Sequence, residues 1–266
     1  MNLSSHTQIT SGTATHSNSY HYSVASRLDH VATGTQTATY AYLTDSDAIE
    51  TLTFKSGSTT RLATTRGHDT SDRLDSVTHT YNTSQSQSFG VSEFESMIRR
   101  KKITREDNTR WNYTYNDKGE VESGLREKTA PPNTPVPGWS HAYSFDEVGN
   151  RKSTTTNGRV STYPPANALN LIVERPIPRA FDVIGKASTT ATVTVDGNAA
   201  TRLDEYFYKE ITTTNTGKIH IPYTVAATAG SGTTTRDGGK FLSATPEDFQ
   251  YDLDGNLILD GRFTYT

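Results

Sequence analysis

The sequence predicts an all-β fold, a strip of short hairpins with a small β module inserted late in the chain. Three observations predict it. Thr, Tyr and Val, which suit a pleated surface, recur throughout, and no long stretch is dominated by Ala, Leu, Glu or Lys. Alternation of apolar and polar residues is common, whereas helical spacing is scarce. Turn dipeptides that require positive φ punctuate the alternation. The best helical window, Ser92-Glu93-Phe94-Glu95-Ser96-Met97-Ile98, is too short to stand alone.

Composition narrows the class. The 266 residues suit one large domain or two modest ones. Leu, Ile, Val and Phe number only 47 of them, just under the roughly 20% at which disorder becomes a candidate. A formal net charge of −3 and fourteen Tyr argue against disorder and for thin packed layers. No run of 18 apolar residues is present to span a membrane. Met1-Asn2-Leu3-Ser4-Ser5-His6 has neither the basic start nor the apolar core of a signal peptide. Without Cys there is no disulfide, thiolate zinc site or Cys nucleophile. The near-neutral charge gives no global attraction to nucleic acid or anionic lipid.

A repeat organises the chain. Tyr20-His21-Tyr22 precedes Arg27-Leu28, Tyr40-Ala41-Tyr42 repeats the aromatic pair, and His68-Asp69-Thr70-Ser71-Asp72-Arg73-Leu74 keeps the second half. Full copies follow at Tyr113-Thr114-Tyr115-Asn116-Asp117-Lys118-Gly119 and at Tyr143-Ser144-Phe145-Asp146-Glu147-Val148-Gly149. Another is Phe249-Gln250-Tyr251-Asp252-Leu253-Asp254-Gly255, and Phe263-Thr264-Tyr265 opens one more. Nine of the fourteen Tyr fall in these aromatic pairs. Aromatics two apart on a strand share a face. The Asp or Asn caps a turn in which Gly takes positive φ, so each unit is a hairpin stacking its rings on the next. Asn157-Gly158, Asp196-Gly197 and Asp254-Gly255 read as further tight hairpin turns.

This motif resembles the YD repeat of the Rhs family, which includes bacterial polymorphic toxins, insecticidal toxin-complex shells and animal teneurins. The likeness covers roughly residues 19–157 and 249–266. It implies a β strip that spirals into a shell enclosing or displaying a toxin or effector. It also implies flanking Rhs-repeat segments or an effector domain as partners, and a secreted or cell-surface location within a larger protein. Surface members of the family are linked to carbohydrate binding. The family's self-cleaving segment has an Asp-Pro-x-Gly-Leu core, and no Pro here follows an Asp. Ending inside a repeat, the chain is expected to be one piece of such a shell, self-associating through free strand edges.

Residues 1–158 are thus expected to form the repeat strip, 159–248 a β-rich insert, and 249–266 a return to the repeat. Pro164-Pro165 and Pro176-Ile177-Pro178 mark entry to the insert, and residues 228–239 read as a Gly/Thr-rich connector.

Candidate chemistry is sparse. Asp252-Leu253-Asp254-Gly255-Asn256 lacks the Gly at position 6 that a calcium loop needs. Arg99-Arg100-Lys101-Lys102 and Arg105 are offset by Glu93, Glu95, Glu106 and Asp107, so no nucleic-acid stripe results. His16, His21 and His30 have no metal-ligand spacing, and no catalytic elbow, phosphate loop or dinucleotide fingerprint occurs. No enzyme, metal or cofactor is expected. Trp139, beside Pro135-Val136-Pro137-Gly138, is the candidate ligand contact, since sugars stack on such rings. The alternative to a structural strip is a carbohydrate- or protein-binding surface module, which exposed Tyr206, Phe207, Tyr208 and Tyr223 would favour.

Overall fold

The computed structural model describes residues 6–11, 14–82, 85–95 and 99–265, all without helix. Residues 1–5, 12–13, 83–84, 96–98 and 266, and the side chains of 6–11, of 14–16 (His16 included) and of Gln85, lie outside the described residues. Ser92-Glu93-Phe94 of the short helical window is strand, with Glu93 paired to Lys102 and Phe94 to Arg100, because a lone helical turn cannot outcompete that pairing.

The chain divides into two compact units, Met1–Arg110 and Trp111–Thr266. In the first, β1 (His6–Ser11), β2 (Ala14–Tyr22), β3 (Leu28–Thr33), β4 (Gln36–Tyr42) and β5 (Ile49–Ser56) run as an antiparallel meander in chain order. The meander continues through β6 (Thr59–His68), β7 (Leu74–Tyr81), β8 (Gln85–Phe94) and β9 (Arg100–Arg105). In the second unit, after β10 (Thr109–Tyr115), come β11 (Val121–Lys128), β12 (Pro135–Phe145), β13 (Arg151–Thr156) and β14 (Arg159–Thr162), again antiparallel and in chain order.

Alternate connections of a meander lie on the same edge, and in each unit one edge carries a recurring five-residue loop. Its first residue donates its N–H to the carbonyl of its fifth: Ser23 to Arg27 (2.8 Å), Asp69 to Arg73 (2.9 Å), Asn116 to Glu120 (3.0 Å) and Asp146 to Asn150 (2.9 Å). An Asp or Asn in first place then accepts N–H groups from the third and fifth residues, as Asp146 does from Val148 (3.0 Å) and Asn150 (2.8 Å), and Ser23 Oγ accepts from Arg27 N–H at 3.3 Å. The fourth residue lies in the left-handed region: Ser26, Asp72, Gly119 (φ 86°) and Gly149 (φ 92°). This is the Asx-capped turn the repeat implies, and the loop beginning at Ser23 forms it without either Asp or Gly.

A β-bulge follows such loops, early in the strand that leaves the turn. Tyr22 pairs with Leu28 and His21 with His30, leaving Asp29 as the extra residue. The same skip leaves Glu50, Asp75 and Lys152 unpaired in their hairpins. A bulge turns the extra side chain toward its neighbour's face.

The insert folds as small sheets in the second unit. β15 (Glu174–Arg175) pairs with β23 (Glu247–Asp248). β16 (Ala180–Lys186) pairs with β20 (Tyr206–Thr212), which also pairs with β19 (Thr201–Leu203). β17 (Thr192–Val195) lies between β18 (Asn198–Ala199) and β21 (Ile219–Ala229), and β22 (Gly232–Leu242) pairs with β21. Their inner faces meet in a core of Phe181, Val183, Val193, Val195, Phe207 and Leu242. Residues 228–239 are therefore not a connector. They form the turn and second strand of the β21–β22 hairpin, where Gly238 sits opposite Tyr223 and its missing side chain makes room for that ring.

A last hairpin joins β24 (Gln250–Tyr251) to β25 (Leu257–Leu259). Its Asp254-Gly255 is not a two-residue turn: Gly255 has positive φ (84°), whereas Asp254 does not. Asp252 instead closes the five-residue loop onto Asn256 at 2.9 Å. Asn167 to Leu171 forms the same loop (2.9 Å), so the turn half of the repeat persists inside the insert after its aromatic pair is gone.

Candidate functional site

The loop edge of each unit is internally interlocked. Arg27, fifth in its loop, lies 4.7 Å over the ring of Tyr42 and donates to the Ser46 carbonyl at 2.6 Å, on the next loop. Arg73 covers Phe94 at 4.3 Å. In the second unit Asn150 donates to Asn170 Oδ1 at 2.7 Å. The loop tips expose apolar side chains at their second or third residue: Val24 in the first unit, and Val148, Leu169 and Leu253 in the second.

The bulges assemble a second recurring feature. The extra residue, the one after it and the residue across the ladder converge on one spot. At β8–β9 this joins Glu93 to Lys101 (2.7 Å) and to Lys102, and the two ammonium groups, Lys101's first, hold the Glu93 carboxyl down to about 2. Arg99 pairs with Glu95 at 3.2 Å and Arg105 with Glu106 at 3.8 Å, so the basic run is neutralised locally. At β12–β13 Ser144 and Ser153 hydroxyls meet at 2.6 Å. At β2–β3 the same positions hold His21, Asp29 and His30. His21 Nδ1 is 2.7 Å and His30 Nδ1 3.4 Å from Asp29 Oδ2, and the two rings stack with centroids 4.7 Å apart. Spacing along the sequence hides this cluster, because the ladder and the bulge create it.

The aromatic repeat residues up to Tyr251 lie half-buried, whereas Phe263 and Tyr265 are exposed. Trp111 stacks on Tyr113 (5.8 Å), and both rings pass over Gly124. Arg151 covers Tyr143 at 4.7 Å and Arg175 covers Phe249 at 5.3 Å. Tyr251 donates its hydroxyl to the Ile172 carbonyl at 2.8 Å. Tyr20, Tyr22, Tyr115 and Phe145 are likewise half-buried, and Asp146, Gly149, Asp252 and Gly255 shape the loops beside them.

Trp139 is half-buried, with Trp111 edge-on at 5.8 Å and the Arg126 guanidinium 4.8 Å over its ring. Arg126 also lies 5.0 Å over Tyr206 and donates to its hydroxyl at 3.2 Å. Tyr206 is 1% exposed and Phe207 7%, while Tyr208 and Tyr223 are half-buried. The insert aromatics are thus packing residues, because thin sheets with few aliphatics must fill their core with rings. Beside them lies an open cavity of about 670 Å³, lined by Ala187, Ala191, Phe207, Val225, Ala227 and Arg236. Of the insert aromatics singled out in the sequence, Phe207 lines it.

No family model matches the chain, and no curated protein matches it.

Proposed function

We propose that this chain is a non-catalytic structural segment of YD-repeat type, a β strip of an Rhs-like shell that encloses or displays an effector. The observation that carries the reading is the loop itself. Asx caps, left-handed fourth residues and the bulges that follow them recur on one edge of each meander, and successive loops lock together through Arg27–Tyr42, Arg73–Phe94 and Asn150–Asn170. Such an architecture builds a long wall from local contacts and leaves strand edges and apolar loop tips for neighbouring segments. Its mechanism is enclosure or display. Flanking repeat segments or an effector are its partners, and exposure outside the cell goes with that role.

Size-exclusion chromatography with light scattering, run with and without a glycan panel, tests it. Concentration-dependent self-association without glycan binding is the expected result. A stable monomer that retains a glycan would overturn it in favour of the second reading, a carbohydrate-binding surface module. That reading draws on one observation, the cavity of about 670 Å³ in the insert with Arg236 at its apolar wall.

A further inference from the structure

We infer that His21, Asp29 and His30 form a binding site for a divalent transition-metal cation of the zinc class. The inference is independent of the shell reading and begins with the ladder. His21 and His30 are directly opposed on β2 and β3, so their Cβ atoms are held side by side by backbone pairing on both strands. The bulge then places Asp29, which a regular strand would point to the other face, against both rings.

The donor set suits the ion. Imidazole nitrogen is the ligand shared by zinc, nickel and copper, and two imidazoles with one carboxylate make the three-ligand arrangement that leaves a fourth position for water. Ligands about 2.0–2.1 Å from a tetrahedral ion lie about 3.3 Å from one another. The two histidine Nδ1 atoms already stand 2.7 and 3.4 Å from Asp29 Oδ2, and all three donor atoms lie within 4.8 Å of one another. The ion therefore needs the two stacked rings to turn until their Nδ1 lone pairs converge, on strands already held in place by the ladder. Side-chain exposures of 40%, 41% and 37% leave it a way in from solvent.

The other bulges supply the comparison. The same three positions hold Ala41, Glu50 and Thr51 before β5's pairing resumes, Gly67, Asp75 and Ser76 at β6–β7, and Ser144, Lys152 and Ser153 at β12–β13. Only the β2–β3 copy among the described residues carries three metal-ligand side chains.

The test is calorimetric titration of the chelator-treated full chain with Zn²⁺, alongside His30→Gln, Asp29→Asn and a control, His79→Gln. His79 faces Thr64 Oγ1 at 2.9 Å, away from any such cluster. One equivalent of Zn²⁺ should bind wild type and the control alike. Affinity should fall by more than about tenfold in the two site variants, since even outer-shell partners are worth that much. Equal binding by His30→Gln, or none by wild type, overturns the site. Because a variant can misfold, NMR of wild type with substoichiometric Cu²⁺ gives a second readout. Broadening must reach the His21 and His30 ring signals first, and broadening centred on other histidines would overturn the assignment.

Discussion

At the residue scale, the fourth position of each loop decides how the chain reverses. Gly119, Gly149 and Gly255 occupy the left-handed region at no steric cost, whereas Ser26, Asp72 and Asn170 occupy it at some. Gly149→Ala is expected to cost about 1–2 kcal/mol by forcing a Cβ into φ 92°. The new Cβ would also stand 3.1 Å from Glu120 Oε1. Ser26→Gly should stay within about 0.5 kcal/mol, because relief of left-handed strain is offset by the greater entropy of the unfolded chain. Urea unfolding of the two variants checks the pair. An alanine tolerated as well as glycine would mean that the loop does not impose its φ. These positions also set how much the sequence discloses. A Gly three residues after Asp or Asn announces the loop, and the full copies at Tyr113, Tyr143 and Phe249 were legible for that reason. The Asn167 copy was not, since Asn170 does the work of Gly and no aromatic pair precedes it.

Elements show the same division. The Asn157-Gly158 and Asp196-Gly197 hairpins form as their dipeptides indicate, with positive φ at both central residues. The β21–β22 hairpin was hidden because its second strand is built of Thr and Gly, a composition shared with linkers. Only the ring lying across the ladder explains the glycine there. A Cβ on Gly238 would lie 2.6 Å from Tyr223 Cζ, inside contact distance. Gly238→Val is therefore expected to destabilise by about 1–3 kcal/mol through overpacking, while exposed Thr234→Val on the same strand stays within about 0.5 kcal/mol. Phe207, 7% exposed in the insert core, should cost about 3–5 kcal/mol when cut to Ala. Thermal unfolding ranks the three, and an inert Phe207→Ala would show that the insert core adds little to the second unit. The His21, Asp29 and His30 cluster belongs to this scale too. Bulges have no sequence signature of their own, so a residue next to a repeat turn can change face without notice.

For the whole molecule, the shifted ionisable groups make stability fall toward acid in two stages. Burial pushes His141 below its ordinary 6.5, with the Asp182 carboxylate opposing. A histidine whose folded value is depressed is protonated more readily in the unfolded chain, so its contribution is present above 6.5 and drains away as pH falls below it. Five carboxyls follow. Glu93 is held down to about 2 by Lys101 and Lys102. Asp69, Asp146 and Asp252 are lowered chiefly by the side chains of Arg73, Asn150 and Asn256, and Asp260 by the Phe263 N–H. Each favours its ionised form in the fold. Its contribution is full above the ordinary 4.5 of Glu or 3.8 of Asp and disappears as pH drops through the lowered value. The urea midpoint should therefore decline from about pH 6.5, and more steeply below about pH 4.5, with no opposing rise. Because most of these carboxyls cap the loops or hold a bulge, acid should release the loop edge before it releases the ladders. Amide exchange at Val148, Asn150, Asp254 and Asn256, whose N–H groups point at Asp146 and Asp252, should quicken first. Exchange that rises uniformly across strands and loops would show instead that the edge has no separate acid lability, and that the caps are not what holds consecutive hairpins together.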